Sequence, residues 1–117
     1  MRILIIEDNP DIKEILDYIL QDEGHEVISA SDGDILNSLD SINPHLLLMD
    51  EILAGQRGSK FCRKLKNDNS TKNIPVVLIS AMSQIKTIAA ECGADDYIEK
   101  PFNLDTLTEV ISRFARA

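Results

Sequence analysis

Residues 45–50 read His-Leu-Leu-Leu-Met-Asp, an unbroken apolar run that ends on a carboxylate. A strand covered on one face alternates apolar with polar residues. A run apolar at every position instead suits a strand buried on both faces, as in a parallel sheet flanked by helices. Two more runs share this character, RILII at 2–6 and PVVLI at 75–79, and polar residues follow both at once: Glu7 and Asp8 after the first, Ser80 after the second. With weaker runs, five strands are expected, at 2–6, 26–29, 45–49, 76–79 and 96–99. A segment of helical period follows each strand. In the first, opened by Asn9 or Pro10 and ended by Gly24, Ile12, Ile15, Leu16, Ile19 and Leu20 fall on one face. The others run over about 34–42, 59–65, 84–92 and 104–114. Alternation of this kind predicts an α/β fold, a doubly wound five-stranded parallel sheet with helices on both faces. The mixed second strand and the short fifth are expected at its edges.

A chain of 117 residues leaves no room for a second core, so one domain over 1–117 is expected. Twenty acidic against 12 basic side chains give a formal charge of −8, which disfavours direct contact with nucleic acid or anionic lipid. No stretch approaches the roughly 20 apolar residues of a membrane span, and no signal-peptide pattern opens the chain. A cytoplasmic location is expected. Cys62 and Cys92 lack metal-type spacing and read as reduced packing residues. His25 and His45 receive neither a metal nor a phosphoryl role.

In an open parallel sheet the functional site lies beyond the carboxyl ends of the strands, where the strand order reverses. Glu7 and Asp8, Asp50, Ser80 and Lys100 each follow an apolar run directly, so all converge on that rim. Three carboxylates in one place repel one another and call for a cation or raised pKa values. With no His or Cys beside them, a hard divalent ion is the natural partner, and the small carboxylate count favours Mg²⁺ over a dedicated Ca²⁺ cage. Lys100 and Ser80 add a cation and a hydroxyl donor, which with the metal match the three oxygens of a phosphoryl group.

The whole chain resembles the receiver domains of two-component response regulators. The resemblance rests on Glu7-Asp8, on Asp50 ending LLLMD with Gly58 eight residues on, on Ser80-Ala81 after PVVLI, and on GADDYIEKPF from Gly93. Each motif is weak alone; their order and spacing are specific, with Asp8 to Asp50 being 42 residues, Asp50 to Ser80 being 30 and Ser80 to Lys100 being 20.

The resemblance implies the strand order 2-1-3-4-5, for which a chemotaxis receiver of this family is a standing example. It implies Asp50 as phosphoacceptor, taking its phosphoryl group from a histidine kinase or histidine phosphotransfer protein. Mg²⁺ would be held by Asp8, Asp50 and the backbone carbonyl of Ile52, with Glu7 acting through water. Lys100 would pair with Asp50, then with the phosphoryl group. Ser80 and Tyr97 would form the switch, changing the face of the fourth helix, fifth strand and fifth helix for a downstream protein or output domain, with a phosphorylation-dependent homodimer as one use of it. The Lys100-Pro101 bond is expected cis, and Leu16, Ile19 and Phe102 are the residues to test for kinase specificity. On this reading the chain is not an enzyme beyond its own phosphoryl transfer and hydrolysis.

Two departures from the family pattern stand out. Ala54 replaces a proline common four residues after the acceptor, which predicts a more mobile loop. Arg57 stands where many members carry Asp or Asn. Ile52 and Met82, flanking the acceptor, are apolar and cannot orient a water, which predicts a long-lived phosphoryl group. Other readings remain beside this one. Asp8, Asp50 and Ser80 are residue types that also cap helices, and a tyrosine at 97 is equally a half-buried packing residue. An aspartyl phosphatase would want a second Asp where Ile52 stands, and a flavin-phosphate loop would not begin Glu7-Asp8. An interaction module that is never phosphorylated is the remaining rival.

Overall fold

Strand and helix alternate as the hydrophobic pattern requires in the computed structural model, which describes residues 1–115; the last two residues of the expected domain lie outside the described residues. The elements in chain order are β1 (Arg2–Ile6), α1 (Pro10–Asp22), β2 (Glu26–Ala30), a 3₁₀ helix (Gly33–Ser38), α2 (Leu39–Ile42), β3 (Leu46–Asp50), β4 (Ile52–Leu53), β5 (Gln56–Arg57), α3 (Gly58–Lys66), β6 (Val76–Ser80), α4 (Ile85–Cys92), β7 (Asp96–Glu99) and α5 (Leu104–Ala115). The main sheet has the order β2-β1-β3-β6-β7, parallel at every junction. That is the expected order 2-1-3-4-5, with the two weaker strands at the edges.

The strands sort the core into two layers. Leu4, Ile6, Leu47, Met49, Val76 and Leu78 pack with Cys62, Leu65 and Ala89 of α3 and α4. Ile3, Ile5, Leu46, Leu48, Val77 and Ile79 pack with Leu16 and Leu20 of α1 and with Leu107 and Ile111 of α5. Successive residues of β1, β3 and β6 are buried on opposite faces, which is why residues 3–6, 46–49 and 76–79 carry no polar position. The two helical layers differ in charge: α1 carries Asp11, Glu14, Asp17 and Asp22 against Lys13, whereas α3 carries Lys60, Arg63, Lys64 and Lys66 and no acid.

Helix α1 begins as its sequence dictates. The Asn9 side chain accepts hydrogen bonds from the amides of Asp11 and Ile12, and Pro10 occupies the first turn, where its missing N–H costs nothing. Leu16 corrects an expectation: it is 1% exposed and belongs to the core, so it cannot meet a kinase, while Ile15 and Tyr18 on the same helix are 54% and 74% exposed. The helix expected over 34–42 is also different. A 3₁₀ helix leads into a single α-turn there, because Asp34, Asn37, Ser38, Asp40 and Ser41 are residue types that form helices poorly. The two cysteines are free, buried and adjacent between α3 and α4, the Cys62 thiol lying 3.6 Å from the Cys92 carbonyl. Burial and the neighbouring Cys92 push the Cys62 thiol up to about 12. Both act as packing groups.

Candidate functional site

Order reversal falls between β1 and β3, and the polar ends of these strands meet there. Asp50 closes β3 and is 7% exposed; Glu7, just past β1, is 2% exposed. Asp8 beside it faces solvent. Carboxylate oxygens of Glu7, Asp8 and Asp50 all lie within 4.8 Å of one another. Lys100, at the end of β7, reaches across the rim and donates to Glu7 Oε1 at 2.9 Å and to Asp50 Oδ2 at 3.1 Å. The Lys100–Pro101 peptide bond is cis, as expected.

Backbone amides engage further oxygens at this rim. The Ile52 amide donates to Asp50 Oδ1 at 3.2 Å. Ser80 is 2% exposed at the end of β6, whose neighbour β3 brings Asp50 opposite Ile79; its hydroxyl accepts from the Met82 amide at 3.0 Å. Tyr97 lies opposite Leu78 on β7, half-buried against the α3–α4 layer. All the predicted site residues except Tyr97 therefore sit on one rim, and Tyr97 sits behind it.

Electrostatics follows from crowding. Burial, reinforced by Asp50, raises the Glu7 carboxyl to about 7, even though Lys100 opposes the shift. Burial also works against the Lys100 ammonium, but Glu7 and Asp50 outweigh it and hold its pKa above the ordinary lysine value. One lysine thus compensates two carboxylates and leaves Asp8 over. The donor set is all oxygen, one of its carboxylates faces water, and among the described residues no His or Cys joins the group, so the residues present fit a hard divalent cation such as Mg²⁺.

Two features were missing from the sequence reading. Residues 52–57 are not a loose loop: Ile52 pairs with Arg57 and Leu53 with Gln56 across a two-residue turn, whose second position, Gly55, has φ +82°. This is the φ pattern of a type II turn. The Ala54 amide at its first position donates to Asp8 Oδ2 at 3.0 Å. The second feature is Glu51, a carboxylate 1% exposed. It accepts from the Ser59 amide at 2.6 Å and the Ser59 hydroxyl at 2.8 Å, and Arg57 lies 3.4 Å away. It caps α3, whose N-cap residue Arg57 supplies no capping oxygen. Strand parity was the available signal, since side chains after β3 alternate faces and Glu51 points under α3 if Asp50 points to the rim. Gly58 completes the fit: a Cβ there would lie 2.3 Å from the Asp50 carbonyl oxygen.

Comparisons with known proteins bear on the family and the fold. The family model described as the response regulator receiver domain matches residues 3–112. The phosphate regulon transcriptional regulatory protein PhoB of Escherichia coli is 36% identical over 98% of this chain and 52% of its own length, so the chain spans about half of that relative. Among solved structures, response regulator protein TrrA of Thermotoga maritima, in complex with Mg²⁺-BeF, is 31% identical with a TM-score of 0.86, covering 97% of each chain. The signal receiver domain of a signal transduction histidine kinase from Syntrophus aciditrophicus is 32% identical with a TM-score of 0.88, covering 97% of this chain and 88% of its own.

Proposed function

Since the chain belongs to the response regulator receiver domain family, we propose that it is a two-component phosphorylation switch whose acceptor is Asp50. The observation that carries this reading is the Lys100 ammonium bridging Asp50 Oδ2 and Glu7 Oε1 at the rim of the sheet. A carboxylate oxygen of Asp50 attacks phosphorus of a phosphohistidine on a kinase or phosphotransfer protein. The P–N bond breaks, its electron pair stays on the imidazole, and an acyl phosphate remains on Asp50. Lys100 pairs with the new charge and Ser80 donates its hydroxyl to it, giving up the Met82 amide. Asp8 and Asp50, with Glu7 and the Ile52 carbonyl, would hold Mg²⁺, which supplies charge neutralisation to the transferring oxygens.

A group of about −2 charge on Asp50 then biases Ser80 and Tyr97, and through them the face of α4, β7 and α5. That face serves a downstream protein, a further domain or a second copy. A relative about twice as long leaves room for such a domain. For the donor, a shallow groove of about 390 Å³ beside the site is lined by Ile12, Ile15, Ala81, Lys100, Pro101 and Phe102. Ile15, Ile19 and Phe102 are the docking residues in place of Leu16. The cytoplasm suits this chemistry, and among the described residues no helix is long and apolar enough to cross a membrane.

The test is intact mass after incubation with Mg²⁺ and acetyl phosphate. A Mg²⁺-dependent gain of one phosphoryl group, absent in Asp50→Asn, is expected. No gain in the wild-type chain would leave an interaction module with an acidic pocket.

A further inference from the structure

Ala54 stands at the first position of the β4–β5 turn, and its backbone reaches the acidic rim. Proline has no N–H; Ala54 has one, and it donates to Asp8 Oδ2 at 3.0 Å across the mouth of the site. Asp8 is otherwise exposed, an acid whose side chain would sample several rotamers in water. With Oδ2 engaged, the carboxylate is held in one orientation, and one of its oxygens lies within 4.8 Å of those of Glu7 and Asp50.

Resting on the metal-site reading above, we propose that the Ala54 amide is a positioning group for Asp8, tying the β4–β5 hairpin to metal affinity. Carboxylates that hold metals are commonly fixed by such outer hydrogen bonds, and loss of one typically costs about 10-fold to 100-fold in affinity. The hairpin is therefore joined to the site by a directed hydrogen bond. Its fixed end is Gly58, packed on the Asp50 backbone, and its free end is the Ala54–Gly55 turn.

Two substitutions separate the hydrogen bond from hairpin order. Proline fits the first position of this turn type, and Leu53 before it is already extended, so Ala54→Pro keeps the hairpin, stiffens it and deletes only the donor. Ala54→Gly loosens the hairpin and keeps the donor. Mg²⁺ titrated calorimetrically into the 117-residue chain should bind Ala54→Pro at least about 10-fold more weakly than wild type, with Ala54→Gly close to wild type. If Ala54→Pro binds as tightly as wild type or tighter, or if Ala54→Gly loses as much, the proposal is overturned while the metal site stands. Absence of Mg²⁺ binding in the wild type removes both. Amide hydrogen exchange in the wild type is a second check. Slow exchange at Ala54, with and without Mg²⁺, is expected, and free exchange in both conditions overturns the proposal.

Discussion

Glu7 is the residue whose surroundings are least comfortable without a metal. Its carboxyl is raised from the ordinary 4.5 to about 7, so between those values the folded chain holds a proton that the unfolded chain releases. The associated stability is complete below pH 4.5 and is lost as pH rises through about 7. In chelator, urea unfolding of the wild type should therefore weaken across that window, and Glu7→Gln should flatten the fall; parallel curves for the two proteins would refute the assignment. Ile52, 47% exposed, and Met82 govern the life of the proposed acyl phosphate in another way, since neither can orient a water. The phosphoryl half-life should be long, and Ile52→Asn should shorten it by about 100-fold, the lower end of what one well-placed polar group contributes. A half-life of seconds in the unmodified chain would contradict this.

At the scale of elements, α1 shows where periodicity is reliable and where it stops. Ile12, Ile15, Leu16, Ile19 and Leu20 share a stripe, yet only Leu16 and Leu20 reach full burial, and the stripe's edge carries Ile15 into solvent. Leu16→Ala should cost about 2–5 kcal/mol and Ile15→Ala within about 0.5 kcal/mol, while only Ile15→Ala slows transfer from a cognate donor; equal stability losses in denaturant would refute the division. The central strands were legible because burial on both faces leaves only apolar residues between Arg2, which opens β1, and the polar groups that end β3 and β6. Other elements were not. Two-residue strands such as β4 and β5 carry no period to read, and residues 33–42 have helical spacing but the composition of turns. Glu51 escaped because two acids in a row, Asp50 and Glu51, look alike in sequence and differ only in the face they take.

For the whole molecule, the site was legible because the fold gathers chain-distant residues at one rim. Four runs ending in polar groups are enough to infer that gathering, whereas the Ala54 contact depends on a turn geometry no run announces. The proposed metal binds across β1 and β3, the centre of the sheet, so its effect should be global. At 100 times its dissociation constant a ligand of the folded state adds about 2.7 kcal/mol, and Mg²⁺ should raise Tm by several degrees over chelator in one transition, an effect lost in Asp8→Ala. A melt indifferent to Mg²⁺ would count against the site. The acidic α1 and the basic α3 lie on opposite sides of the sheet, which makes the molecule an electric dipole directed through its own thickness. A charged partner approaching in dilute salt would exert a torque before any contact, turning α3 toward an anion and α1 toward a cation, and at about 0.15 M salt, with a screening length near 8 Å, that alignment fades to the last few layers of water.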